Sequence, residues 1–463
     1  MRMSEDRIIE QIDDVEMPSE VAHSNELGPG GTLCFVFVCL FMVAIYARPE
    51  DVFPVVGEIH ATFLVGMCAG VFFLWSLFLG EISLYWPREL RFVLLLTAWF
   101  AAGVPFAYWR GGSFLVLTEI WLKTVLIFFL LTQTLVTHKR IRGILWAIIL
   151  SELAVAAYSL AAPSQGGGVG ERMVGVNRGF LYLNFLGIAL GMIIPYIAAL
   201  FIAKASLLRS VLLAVTTASM SWMQVLTASR SGTLVVAFSV MLTCLLVSRG
   251  SSRGKIVRMG ILFALLAAIW LAPAVFWERV STITNSDAAS ANTVEASADL
   301  STQERFTLLM RSVNYTIEHP LFGLGLGMFD VANGNDLDRP DAWMGTHNTY
   351  TQLSSEAGVP ALLLYLALLY TVLRNMKQVM ALTNNDPQSI EVNLMARATI
   401  VSLLSFILGA FFAHKAYDYY LFTAPIAIAV GVQRITASHQ KASLSIGRNL
   451  ASPPQHLNPE WTL

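Results

Sequence analysis

The sequence predicts an all-α, polytopic membrane protein with about twelve transmembrane helices and one large extramembrane loop that contains short helices. Composition is the first ground: 56% of residues are hydrophobic and 13% charged, with a mean hydropathy of +0.62, well outside ordinary soluble domains. The second is a succession of apolar runs of the length, about 17 to 25 residues, that crosses a hydrocarbon core as helix. The third is a single long polar stretch, Trp277 to Glu356, between the ninth and tenth runs.

In order, the runs read as Thr32–Tyr46, Ile59–Leu79, Phe92–Tyr108, Leu115–Val136, Ile144–Ala162, Phe180–Ile202, Val211–Leu226, Gly232–Leu246, Ile261–Phe276, Ala361–Leu373, Ile400–Phe412 and Leu421–Val432. The chain then divides into a tail (1–30), nine spans (31–276), the loop (277–356), three further spans (357–433) and a second tail (434–463). The first thirty residues have no basic n-region, and the first run leads into Ala47-Arg48-Pro49 without a small-residue cleavage site, so a retained span is expected, not a signal peptide. Loops near Arg88, Lys139, Lys204, Arg253 and Lys377 are richer in Lys and Arg than those near Arg48, Arg110, Arg172, Arg230 and Lys415. Basic loops stay cytoplasmic, so both termini are expected inside and the long loop outside. A net charge of −1 gives no support to nucleic-acid binding. Cys34, Cys39, Cys68 and Cys244 all fall within spans, and Cys34 and Cys39 lie on different helix faces, so neither a disulfide framework nor a zinc site is expected.

The long loop has internal organisation. Ser281–Ser301 shows no clear period and reads as mobile. Gln303–Glu318 sets Phe306, Leu309, Met310, Val313 and Ile317 at helical spacing, giving an amphipathic helix that carries Arg305 and Arg311 and stops at Pro320. Leu321–Gly327 is a glycine-studded turn. It lacks the strand–turn–helix setting of a nucleotide fingerprint, and close packing of its backbone on the membrane helices is the reading adopted. Thr346 is expected to cap a helix from His347 to Ala357, with Gly358 just past its end and Pro360 opening the next span.

His347 then lies in a first helical turn, where the positive end of the dipole disfavours imidazolium and leaves a neutral ring able to accept a proton. The plain alternative is a histidine that only hydrogen-bonds at a loop surface. The cations expected on the same face weigh against it: Arg230 in a very short turn between two spans, Arg172 and Arg178 before the sixth span, and Arg305 and Arg311 in the loop. Holding an arginine at the membrane boundary without a partner is costly. An anionic ligand accounts for the excess, and the guanidinium fork suits the phosphates of a lipid-linked diphosphate. Pairing with Glu171, Glu304 or lipid headgroups is the competing explanation.

Several of these segments resemble the O-antigen ligase and polymerase superfamily of bacterial envelope glycosyltransferases. His347-Asn348, nine residues and Gly358 match the ligase pattern, with Ala361 where the family has a final glycine. Arg305-Phe306-Thr307-Leu308-Leu309 is similar to the family's Arg-x-x-x-Leu element, and His319-Pro320-Leu321-Phe322-Gly323-Leu324-Gly325 follows as it does there. Ser229-Arg230-Ser231-Gly232 resembles the short arginine turn, and Arg172-Met173-Val174-Gly175 with Asn184 the glycine loop and Asn-bearing span.

The resemblance implies a GT-C-like, metal-independent glycosyltransferase of the inner membrane. It would take a glycan from undecaprenyl diphosphate at the periplasmic face and pass it, with inversion, to an acceptor hydroxyl, such as that of lipid A-core, in lipopolysaccharide or surface-polysaccharide biosynthesis. No cofactor and no metal are expected; the partners are the lipid-linked donor, the acceptor and membrane lipid. His347 is the expected catalytic base. Arg230 and Arg305 are expected on the diphosphate, with Arg172, Arg178, Arg311 and Asn348 as further candidates for substrate binding.

Ligation to lipid A-core, polymerisation of repeat units and transfer to protein Ser or Thr share the donor end and stay open. A hydrolase would need two carboxylates facing each other across the bond, and the loop acids Asp330, Asp336, Asp338 and Asp341 lie in a polar stretch typical of solvated surface. A transporter or flippase is the rival of another class, but its usual repeated pattern of spans is not visible. Within the bilayer, Glu119 and Lys123 read as a buried structural pair at i and i+4. Glu152, and His60 in the second span, have no assigned role, and the stretch His414-Lys415-Ala416-Tyr417-Asp418 is a candidate lining for the acceptor side.

Overall fold

A computed structural model describes residues 28–161, 185–203, 206–227, 229–272, 293–338, 344–384 and 389–451, together with Trp277 and Asp386. These are helices and turns, with no strand among them, and the protein is an all-α polytopic membrane protein. Eleven helices among the described residues are long and apolar enough to cross a membrane: α1 (Pro29–Ala47), α2 (Ala61–Phe78), α3 (Arg88–Phe106), α4 (Arg110–Thr134), α5 (His138–Ala161), α6 (Phe185–Ile202), α7 (Leu207–Thr227), α8 (Arg230–Val247), α12 (Thr349–Thr383), α13 (Ile390–Gly409) and α14 (Tyr419–Lys441). The expected ninth span overlaps α9 (Ser252–Leu271), which is not one of those eleven and whose first turns carry Arg253, Lys255 and Arg258. The expected end of that span, residues 273–276, lies outside the described residues.

The last three spans are longer than their apolar runs. Helix continues through Arg374 and Lys377 in α12 and through Glu391 and Arg397 in α13, because a charged residue at the end of a span can extend its head to the interface without breaking the backbone ladder. The core lies around α6, which is buried almost all round and packs on α8 and α13. Gly187 touches the backbone of Gly232, and Gly191 meets Val235, so these two helices approach more closely than larger side chains would permit.

Two readings of individual residues change. Glu119 and Lys123 do pair, at 2.5 Å, but their side chains are 61% and 59% exposed, so the pair is on the outside of α4 and not in the protein interior. His60 sits in a left-handed conformation just ahead of α2 and is exposed, outside the span proper. Glu152 is buried in α5.

The loop contributes α10 (Thr293–Glu318) and α11 (Phe329–Asp336). Helix α10 begins ten residues before the expected Gln303, so the polar, aperiodic composition of 293–301 did not prevent helix; Ala, Glu and Leu there are good helix formers. Leu308 and Tyr315 of α10 pack with Leu324, Met328, Phe329 and Ala332 in a small satellite core.

Candidate active site

The segment around His347 departs from its expected geometry. Asn348, not Thr346, is the cap of α12: its Oδ1 accepts from the backbone N–H of Tyr350 at 2.9 Å and of Thr351 at 3.1 Å. His347 therefore precedes the helix, with a left-handed backbone (φ 51°). Thr346 instead donates its hydroxyl to the Asn348 carbonyl at 3.0 Å, which stabilises the turn. The first part of α12 ends where expected, since Gly358 adopts φ 83° and ψ 170° and breaks the helix into two. A Cβ there would collide with the Leu321 carbonyl oxygen.

The glycine-studded turn packs closely, as read from sequence. Gly323, Gly325 and Gly327 all have positive φ, and Leu324 and Gly325 donate their N–H groups to the carbonyls of Ser355 and Glu356, both at 2.8 Å. Glu356 was not recognised in the sequence. Its buried carboxylate accepts from Gly327 N at 3.0 Å and Tyr417 OH at 2.9 Å. It so joins three segments: the glycine turn, the start of α12 and the connection from α13 to α14. An acid two residues before a helix-ending glycine has no distinctive sequence signature; only the fold identifies its partners.

The connection from α13 to α14 is sewn to the first turns of α12. Thr349 N donates to Ala410 O at 2.8 Å, Lys415 N to Thr349 Oγ1 at 3.1 Å and Ala416 N to Gln352 Oε1 at 3.1 Å. These bonds bring His414 opposite His347, with ring centroids 5.3 Å apart and edge to face. His414 Nδ1 is buried without a hydrogen-bond partner among the described residues.

His347 lies within electrostatic reach of Arg305, and Arg305 of Arg230. Three residues from α8, α10 and the start of α12, far apart in sequence, thus converge. Burial first, and then the Arg305 guanidinium, hold the His347 imidazole below its ordinary pKa. Desolvation and the neighbouring cation both favour the neutral ring. Burial and the proximity of Arg230 likewise lower Arg305, which still remains a cation. His414 is pushed down to about 4 by burial, His347 and Lys415.

The other candidates fare differently. Arg311 donates to Asn333 Oδ1 at 2.7 Å, tying α10 to α11. The side-chain Oδ1 of Asn348 is occupied by its capping bonds. Arg172, Arg178, Asn184 and Asp341 lie outside the described residues, as do 1–27 and 452–463 of the two tails. Asp418 pairs with Lys415 at 2.6 Å, and the Lys415 ammonium sits over the Phe185 ring at 4.8 Å.

A helical membrane protein with an imidazole and two guanidinium groups gathered at one end of its bundle belongs to a class that can perform acid–base chemistry beside an anion. Residues 213–366, from α7 into α12, match the family model described as O-antigen ligase. Over that segment the chain is similar to the O-antigen ligase family. The matched segment contains Arg230, Arg305 and His347. No curated protein matches the chain.

Proposed function

We propose that the protein transfers a glycan from undecaprenyl diphosphate to an acceptor hydroxyl at the periplasmic face of the inner membrane, with both termini in the cytoplasm. The observation that carries this reading is the convergence of His347, Arg305 and Arg230. His347 takes the proton of the acceptor hydroxyl as its oxygen attacks the anomeric carbon. The bond from that carbon to the diphosphate oxygen breaks with its electron pair, and undecaprenyl diphosphate leaves as an anion. A single displacement inverts the anomeric centre.

Arg305 and Arg230 meet the charge that develops on the leaving diphosphate, the electrostatic work that a metal ion performs in other transferases. A diphosphate placed between them would meet both guanidinium groups. Ligation to lipid A-core is the favoured acceptor reaction because the His-Asn segment follows the ligase pattern. Polymerisation and protein O-glycosylation differ from it only in the acceptor.

The test uses the full chain in vesicles that contain a lipid-diphosphate glycan and a candidate acceptor. New covalent product and free undecaprenyl diphosphate are expected, and His347→Ala should reduce both by roughly a hundredfold or more. Translocation of the donor without product would favour a transporter and overturn the reading.

A further inference from the structure

Helix α10 has two apolar faces. Leu308 and Tyr315, with Ser312, are buried against the rest of the protein. On the opposite side Phe306, Met310, Val313 and Ile317 are exposed, with Phe306 62% and Ile317 72% open. At 3.6 residues per turn these four fall within an arc of about 60°. A helix facing water would carry polar residues there, and a contiguous apolar stripe marks a surface that meets something apolar.

The stripe is continuous with the lipid-facing surface of the bundle. Leu321, 61% exposed, follows Ile317 past the end of α10. Val359 N donates to Pro320 O at 2.8 Å, which joins this end to the exposed row Val359, Leu363, Leu366 and Tyr370 of the membrane span α12. Beside it, Phe322 stacks on Trp99 at 4.9 Å and on Phe106 at 4.8 Å, at the end of α3. Exposed Tyr108 and Trp109 follow, the kind of aromatic girdle that marks a membrane–water interface. Exposed Glu304, Thr307, Asn314 and Glu318 flank one edge of the stripe, and Arg305 lies on the other. Apolar centre, polar edges and continuity with a lipid-facing span are the characteristics of a helix lying in an interface.

We propose that α10 lies in the surface of the membrane leaflet on the His347 side, with Phe306, Met310, Val313 and Ile317 in the acyl-chain boundary. Arg305 is thereby held at headgroup level, where a lipid phosphate can reach it sideways from the bilayer.

The experiment measures labelling by a charged, membrane-impermeant maleimide in nanodiscs of phosphatidylethanolamine and phosphatidylglycerol. Phe306→Cys and Ile317→Cys on the stripe are compared with Asn314→Cys on the polar edge, and the unmodified chain supplies the background of its own cysteines. Asn314→Cys should label roughly tenfold faster than either stripe variant, with all rates equal after denaturation. A bimane on Ile317→Cys should be quenched by a lipid carrying a nitroxide near its headgroup. Labelling of both stripe variants within twofold of Asn314→Cys overturns the proposal. So does slow labelling without lipid quenching, which would mean that protein, such as a second copy, covers the stripe. If a stripe variant fails to fold, Val313→Cys takes its place. Neither readout involves glycan transfer, so the result stands apart from that of the reaction test.

Discussion

Arg305 and Arg311 are six residues apart on one helix and have opposite fates. Arg311 donates to Asn333 at 2.7 Å and fastens α10 to α11. Arg305 makes no hydrogen bond or ion pair among the described residues, and its neighbours include the Arg230 guanidinium and the His347 imidazole. The first arginine is satisfied by the fold. The second lies beside another guanidinium, and burial and that neighbour lower its pKa. Residue type and helix are the same, so position on α10 separates the cation that fastens α11 from the one proposed to meet the diphosphate.

Substitutions sharpen this contrast. Arg305→Ala should slow glycan transfer by about 100- to 1000-fold, the usual loss when one preorganised charge stabiliser is removed, with little change in thermal stability; Arg305→Lys should recover only part because the planar fork is lost. If Arg305→Ala transfers within threefold of the unmodified protein, the distinction between the two arginines fails.

Gly358→Ala should act on both at once. It forces a side chain against the Leu321 carbonyl at a positive φ, costing about 2 kcal/mol or more and shifting α12 relative to the glycine turn. Thermal unfolding of the detergent-solubilised protein measures it. Arg311→Ala should lower stability by about 1.5 to 3 kcal/mol through the lost charged hydrogen bond, while transfer per folded molecule stays within about threefold.

The smallest effect is in pH. His347 acts as a base only when neutral, and its pKa in the folded protein lies below the ordinary 6.5. Transfer should therefore persist through pH 6.5 and fall as the pH drops through that depressed value. Arg305→Gln removes the lesser of its two causes, so the acid limb should move upward yet stop short of 6.5, because burial remains. Arg311→Gln should leave the limb where it is.

Much of this was legible in the sequence where a rule is local. Pro320 stopping a helix, Gly358 breaking one and glycines allowing a backbone to pack each depend on the conformational range of a single residue. The cap was misplaced by two residues because Thr346 and Asn348 are both good caps, and only the backbone turn at His347 decides which side chain faces the free N–H groups. Glu356 had no sequence mark, since apart from Gln352 one turn earlier its partners lie 27 to 61 residues away. The burial of Glu119 and Lys123 was misjudged because spacing shows that two residues share a face but not what that face meets.

By itself, then, the sequence determined that the chain is helical and crosses the membrane many times, and that one long polar segment precedes its last three spans. Apolar run length and basic-residue bias act over tens of residues and require no knowledge of contacts. Tertiary structure alone decided which arginine meets His347, which one is spent on Asn333, and why the imidazole stays neutral. Those outcomes depend on distances between residues remote in sequence and on how far water is excluded, and both exist only once the helices have packed.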